Sequence, residues 1–226
     1  MHMLSSTSAV TPLAGRRFSA FLFDMDGTLI TSIESANRAW TTWSRMRNFD
    51  PAHVISIMHG VRTVETMKRL GVSDPEAEAA WITKLEIEDT DGVAPIAGVA
   101  KFLAGIPEGR WAIVTSASRK LAEARLARAG IAIPPVLVTS EDVERGKPDP
   151  ACFLLGAKRL NVDPAECLVF EDTVAGLNAA DAAGAAALAI TATHSHPIGT
   201  AHSAIPDYRG LAVSANTQGV AVVSAA

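Results

Sequence analysis

Cysteine is scarce: Cys152 and Cys167 are the only two in 226 residues. A disulfide framework is therefore excluded as the main support of so long a chain. Neither cysteine has CxxC spacing or a Cys/His cluster around it, so a zinc site built on them is excluded as well. Both read as reduced core residues. The opening stretch MHMLSSTSAVTPLAG lacks a basic segment followed by a long apolar one, and residues 1–17 read as a flexible leader rather than a secretion signal. No apolar run approaches the roughly 20 residues that span a bilayer. Positive charge is not in excess either, since 20 Lys and Arg against 24 Asp and Glu leave a formal net charge of −4. Nothing electrostatic calls for nucleic acid or an anionic membrane as a partner. A soluble, cytoplasmic protein acting on a small molecule is expected, and an anionic ligand would need a local positive site such as a metal. Oligomeric state is not encoded in any of these features.

What the chain does have is apolar material. Its hydrophobic share of 48% over 226 residues suffices for one core domain carrying an insertion. From residue 97 onward, short apolar runs alternate with alanine-rich helical stretches. RWAIVTS (110–116), PVLVTS (135–140), ECLVFED (166–172) and AAALAI (185–190) are strand-like. Between them lie helical patterns at 118–130, 149–161 and 173–184, the second starting at Asp-Pro, a good helix start. This alternation implies an α/β fold, a doubly wound parallel sheet covered on both faces. Ligands of such sheets sit at the carboxyl ends of the strands.

The stretch from 32 to 95 differs. Three helical patterns, at 33–46, 61–70 and 75–90, follow one another with no strand between them. A purely helical insertion placed directly after the first strand reads as a lid over the crevice. The expected organisation is a core of 18–31 and 96–226 with a helical cap of 32–95. Trp40 and Trp43 fall at helical spacing for one packed face, which suits either the cap's interior or a surface on which a sugar stacks. YRGLAVSA (208–215) reads as an edge strand. His194, His196 and His202 lie in a Ser-, Thr- and Pro-rich stretch and read as solvent-exposed rather than as metal ligands.

Chemistry-bearing residues close four successive strands: DMDGT (24–28), TS (115–116), GKPDP (146–150) and ED (171–172). Each alone is common on surfaces. In this order on a β/α pattern, the chain resembles the haloacid dehalogenase superfamily of phosphohydrolases, with a helical cap inserted after the first motif. The resemblance runs from about residue 18 to about residue 192. WAIVTSAS, ERGKPDPACFLLGAKRLNV and VFEDTVAGLNAADAAG are similar to sugar-phosphatases, including the 2-deoxyglucose-6-phosphate and glycerol-phosphate phosphatases.

The resemblance implies a Rossmann-like core and a Mg2+-dependent hydrolysis of phosphate monoesters through an aspartyl-phosphate. Asp24 would be the nucleophile and a metal ligand. Asp26 would be the general acid and base, with its backbone carbonyl on the metal. Asp172 would be the third ligand, and Glu171 would orient the site or cap the helix at 173. Thr115 and Ser116 would hold a phosphoryl oxygen, and Lys147 would neutralise charge on the transferring group. Asp26 favours phosphate esters over halide displacement. A Schiff-base lysine for phosphonate cleavage would have to be Lys68 or Lys84, which sit on ordinary charged helix faces. In the cap, His59, Gly60 and Arg62 are candidates for contacting the substrate, although Arg62 is equally placed to pair with Glu65 or Glu34. The expected substrate is a small sugar or polyol phosphate. The alternative is a sugar phosphomutase of the same architecture, which needs a second anion site. Ser118 and Arg119 are in position to supply one, unless Ser118 caps the following helix.

Overall fold

The computed structural model describes Leu13 and residues 15–225. The chain starts with β1 (Ala20–Phe23) and leaves the sheet through β2 (Ile30–Thr31). It then runs through α1 (Ile33–Met46), α2 (Pro51–Met58), α3 (Thr63–Arg69) and α4 (Pro75–Glu88), and returns by β3 (Ala94–Pro95). There follow α5 (Val99–Ala104), β4 (Trp111–Val114), α6 (Arg119–Ala129), β5 (Leu137–Val138) and α7 (Ala151–Arg159). The last elements are β6 (Cys167–Glu171), α8 (Val174–Ala182), β7 (Ala186–Ile190), β8 (Ala204–Ile205), β9 (Leu211–Asn216) and β10 (Gly219–Ser224).

The main sheet has the order β5-β4-β1-β6-β7-β8, and every pairing in it is parallel. This is the expected Rossmann-like, doubly wound α/β core. From β1 the chain moves outward to β4 and β5, then crosses to β6 on β1's other side. That reversal opens a crevice at the carboxyl ends of β1 and β6, where ligands bind in such sheets.

Alternation along β1 explains the two cores. Phe21 and Phe23 face one side with Phe102, Phe170 and Tyr208, while Ala20 and Leu22 face the other with Ala112, Val114 and Val169. Phe23 stacks on Phe170 at 4.4 Å between ring centroids. Each such ring contributes about 1.5–3 kcal/mol by leaving water, and Phe23→Ala would cost about 3–5 kcal/mol. The second face is tight enough that a Cβ on Gly156 of α7 would sit 3.0 Å from Val114 Cγ2.

The helices between residues 33 and 88 have their own small core of Trp40, Trp43, Val54, Met58, Met67 and Ile82. Trp43 is fully buried and donates to Glu78 Oε2 at 2.6 Å. The tryptophan stripe is thus core, with one edge of Trp40 reaching the crevice described below. The chain passes between core and cap at one place, where β2 and β3 pair antiparallel as Ile30 to Pro95 and Thr31 to Ala94. Helix α2 escapes a periodicity reading because eight residues span barely two turns. Its start signal is nevertheless present: Asp50 caps it from the residue before Pro51, accepting from Ala52 N–H at 3.1 Å.

The strand expected at 208–215 forms as β9, but it does not edge the main sheet, whose last strand is β8. A two-residue turn at Thr217 and Gln218, followed by Gly219 at φ +129°, folds the chain back so that β9 pairs with β10 instead. A bridge from Phe18 to Val220 ties this hairpin to the core. Of the stretch read as a leader, Leu13 is buried in the core, and Arg17 donates to the Ser214 and Gly219 carbonyls at 3.2 and 3.1 Å. Residues 1–12 and 14 lie outside the described residues.

Candidate active site

Asp24 is the first residue past β1. Its N–H extends the ladder to the Phe170 carbonyl at 2.9 Å, which aims its side chain into the crevice beside the end of β6. The chain then turns over Met25, whose carbonyl accepts from Leu29 N–H at 2.9 Å. Gly27 is at φ +83°, and a Cβ there would lie 2.0 Å from Asp172 Oδ2. The DxDGT turn therefore needs glycine for two reasons, its left-handed backbone and its passage against the ED strand end.

Lys147 reaches the same place from the loop after β5. Its Nζ donates to Asp24 Oδ1 at 2.5 Å, to Glu171 Oε1 at 2.8 Å and to the Val114 carbonyl at 3.3 Å. The Lys147–Pro148 peptide is cis. Burial alone would lower the lysine's pKa, but the Asp24 and Glu171 carboxylates outweigh it and hold the ammonium well above its ordinary range. Glu171 spends its other oxygen on Thr173, accepting from N–H at 2.5 Å and Oγ1 at 2.9 Å at the start of α8. It orients the lysine and holds Thr173, which caps α8 by accepting from Gly176 N–H at 3.1 Å.

Asp172 is buried, and burial together with Glu171 pushes its carboxyl up to about 6 against the opposing pull of His194. His194 is exposed, as its loop suggested, and its Nε2 lies 3.3 Å from Asp172 Oδ2. The two residues meet because the chain leaving β7 passes directly over the end of β6.

Asp24, Glu171 and Asp172 place carboxylate oxygens within 4.8 Å of one another. Burial and the neighbouring Glu171 and Asp172 charges push the Asp24 carboxyl up, and Lys147 opposes them. Three carboxylates against one ammonium leave two negative charges uncompensated. Among the described residues, Asp172 Oδ1 is buried with no hydrogen-bond partner. An all-oxygen donor set with a twofold charge deficit and an orphaned carboxylate oxygen fits a hard divalent cation such as Mg2+.

Asp26 lies beside this cluster. Its Oδ1 accepts from Ser32 Oγ at 2.6 Å and from Arg125 Nη1 at 2.9 Å. Thr115 follows β4, is buried, and accepts from Ala117 N–H at 3.0 Å. Ser116 donates across to the Gly60 carbonyl at 3.2 Å, linking core to cap. A cavity of about 70 Å3 between core and cap is lined by Asp24, Asp26, Thr115 and Ser116 below and by Trp40, Met58, His59, Gly60 and Glu86 above. Burial, with Arg125 and His194 nearby, lowers the His59 pKa. Arg62 does not line this cavity. Its guanidinium turns outward, donates to the Glu144 carbonyl at 2.7 Å, and pairs with Glu65 at 3.6 Å.

Two lining residues escaped the sequence reading. Arg125 is 4% exposed and bridges Asp26 to Glu86, donating to Glu86 Oε1 at 3.0 Å from Nη2. Each is a charge on an otherwise apolar helix face. Arg125 follows Leu121 and Ala122 on the buried side of α6, and Glu86 sits one turn after Ile82 on α4. Such placement is the available signal, because a charge on a buried stripe needs a partner.

The sequence profile of the haloacid dehalogenase-like hydrolases matches residues 18–184. The chain is 41% identical to hexitol phosphatase A of Escherichia coli (strain K12) over 190 residues, covering 80% of this chain and 87% of that one. It is 32% identical to glycerol-1-phosphate phosphohydrolase 2 of Saccharomyces cerevisiae, covering 78% and 76%. Among solved structures, a hydrolase from Pseudomonas syringae superposes with a TM-score of 0.69 at 26% identity, covering 80% of this chain and 88% of that one. The chain belongs to the haloacid dehalogenase-like hydrolase family. It is a hydrolase, and these curated relatives are phosphatases.

Proposed function

We propose that the protein is a Mg2+-dependent phosphatase of small sugar or polyol phosphate monoesters, working through an aspartyl-phosphate. The observation that carries this reading is the buried set of Asp24, Glu171 and Asp172 around Lys147, short of two positive charges beside the cavity between core and cap. The relatives act, by name, on hexitol and glycerol phosphates, which supports the substrate class.

Asp24 and Asp172, with the Asp26 carbonyl, would hold the cation, whose charge offsets that of a dianionic phosphate. Asp24 attacks phosphorus through one carboxylate oxygen and the ester P–O bond breaks. Asp26 gives its proton to the leaving alcohol oxygen, then takes one from the water that attacks the aspartyl-phosphate. Inorganic phosphate leaves and Asp24 is restored. Lys147 meets the charge on the transferring group, while Thr115 and Ser116 present hydroxyl and backbone donors to its oxygens. His59 and Gly60 close the cavity from the cap side.

The phosphomutase alternative needs a second anion site, and its candidates are engaged elsewhere. Ser118 Oγ caps α6, accepting from Leu121 N–H at 3.4 Å. The Arg119 guanidinium donates to the Leu137 carbonyl at 3.3 Å and to Asp142 at 3.4 Å. A phosphate-release screen over hexose, pentose, hexitol and glycerol phosphates, with and without EDTA, tests the reading. Metal-dependent release from neutral-tailed monoesters is expected. Interconversion of hexose phosphates without free phosphate would overturn it.

A further inference from the structure

The cavity has a polar end next to Asp26, formed by two residues to which the reaction above assigns no role. Arg125 projects from α6 of the core and Glu86 from α4 of the cap, and both line the same cavity as Asp24 and Thr115. Glu86 and Arg125 are each 4% exposed, and they are joined at 3.0 Å. Arg125 Nη1 is taken by Asp26 and Nη2 by Glu86, yet Nε is buried without a partner among the described residues. A buried unmet donor of this kind is costly unless something completes it. The Glu86 carboxylate stands at this end of the cavity, held by the Arg125 guanidinium, whereas the opposite end of the site is arranged for a phosphoryl group. Trp40, Met58 and Leu121 supply apolar wall between the polar groups.

We propose that Glu86 and Arg125 form a specificity pair that selects a neutral, hydroxyl-bearing tail on the phosphate monoester. A hydroxyl donates to the Glu86 carboxylate while accepting from the Arg125 Nε–H, and the apolar wall meets the carbon chain. A substrate with a second anionic group, such as a carboxylate, is disfavoured because that group would lie against the Glu86 carboxylate. Because Glu86 belongs to the cap and Arg125 to the core, the pair is assembled only when the two are closed on each other. The inference rests on the phosphatase reading for the placement of the phosphate, and its test is made independent of turnover.

Ligand binding is measured by titration calorimetry in Mg2+ on the Asp24→Asn background, with a hexitol phosphate and with phosphoglycolate as its acidic-tailed counterpart. Asp24→Asn is expected to prefer the hexitol phosphate. Adding Glu86→Gln should weaken the hexitol phosphate about tenfold and shrink the preference by at least that factor, because it removes one charged acceptor and the repulsion together. Arg125→Lys, which keeps the charge and loses the Nε–H, should also weaken the hexitol phosphate while leaving phosphoglycolate poorly bound. Thermal melts report whether each variant folds, and Arg125→Lys carries the test if Glu86→Gln does not. Equal losses for both ligands, or an unchanged preference, would mean a mere strut between core and cap and would overturn the proposal. The phosphatase reading fails separately, if the protein with Asp24 intact releases no phosphate from any monoester.

Discussion

Lys147 Nζ lies 2.5 Å from Asp24 Oδ1 although 123 residues separate them, and the same ammonium touches Glu171 at 2.8 Å. One lysine thus holds two buried carboxylates from two neighbouring strands, β1 and β6. Lys147→Met leaves both carboxylates unpaired, and unfolding stability should fall by about 3–5 kcal/mol. Phosphate release should drop by at least about a hundredfold. Asp24→Asn is milder for folding, because Glu171 still faces the lysine and one of three crowded negative charges is gone. It should abolish release, by about a thousandfold or more, with little change in melting temperature. Full activity in Asp24→Asn sinks the nucleophile assignment.

The metal prediction is thermodynamic as well as catalytic. A cation that binds the folded state alone stabilises it by about 2.7 kcal/mol at a concentration 100 times its Kd. For a domain of this size that is a rise of roughly 5–10 °C in melting temperature. Asp172→Asn removes the negative charge and one of the two oxygens of the carboxylate whose buried Oδ1 lacks a partner, and should erase the Mg2+-induced rise. EDTA should remove activity from the unaltered protein and Mg2+ restore it. A melting temperature indifferent to Mg2+ counts against the site, whatever the activity data show.

The sheet and its acidic strand ends were legible because each strand is short, apolar and followed by a distinct helix pattern. Asp24 and Asp172 were legible because each directly follows a strand of a parallel sheet, where chain direction alone brings the ends together, and Lys147 because its GKPDP stretch lies in the loop beyond β5 at that same end. Contacts made by tertiary closure were not. Arg125 and Glu86 are 39 residues apart on two amphipathic helices, and nothing local says that their faces meet. His194 is solvent-exposed as its loop suggested, but nothing local says that the chain leaving β7 brings its ring to Asp172 at 3.3 Å. Arg62 had two readings open, and a partner on another loop, the Glu144 carbonyl, drew it outward.

That outward turn predicts a role different from that of Glu86. Arg62 donates to the Glu144 carbonyl at 2.7 Å, and its partner Glu65 accepts from Gly146 N–H at 3.1 Å. The start of α3 therefore grips the loop that delivers Lys147. Arg62→Ala should loosen closure and lower kcat/KM by about tenfold for every phosphate tested. The factor should be the same for hexitol, glycerol and hexose phosphates, since Arg62 does not line the cavity. A loss confined to one substrate would place Arg62 in specificity instead.

Asp142 offers a test of the pH dependence of stability away from the metal cluster. Arg159 Nη2 lies 2.5 Å from it, and Thr139 donates to it from N–H at 2.8 Å and Oγ1 at 2.9 Å. The Arg159 guanidinium, helped by Thr139 and opposed by partial burial, lowers its carboxyl from 3.8 to about 2. A carboxyl depressed on folding adds stability that is complete above its unfolded value and is lost as pH falls through the folded one. After allowance for solvent screening, the contribution is about 1–2 kcal/mol. Denaturant melts of the unaltered protein and Asp142→Asn should differ by about that amount from pH 7 to pH 5, and the gap should narrow below roughly pH 4. A gap that stays constant down to pH 3 would mean that the Arg159 contact contributes shape and no charge.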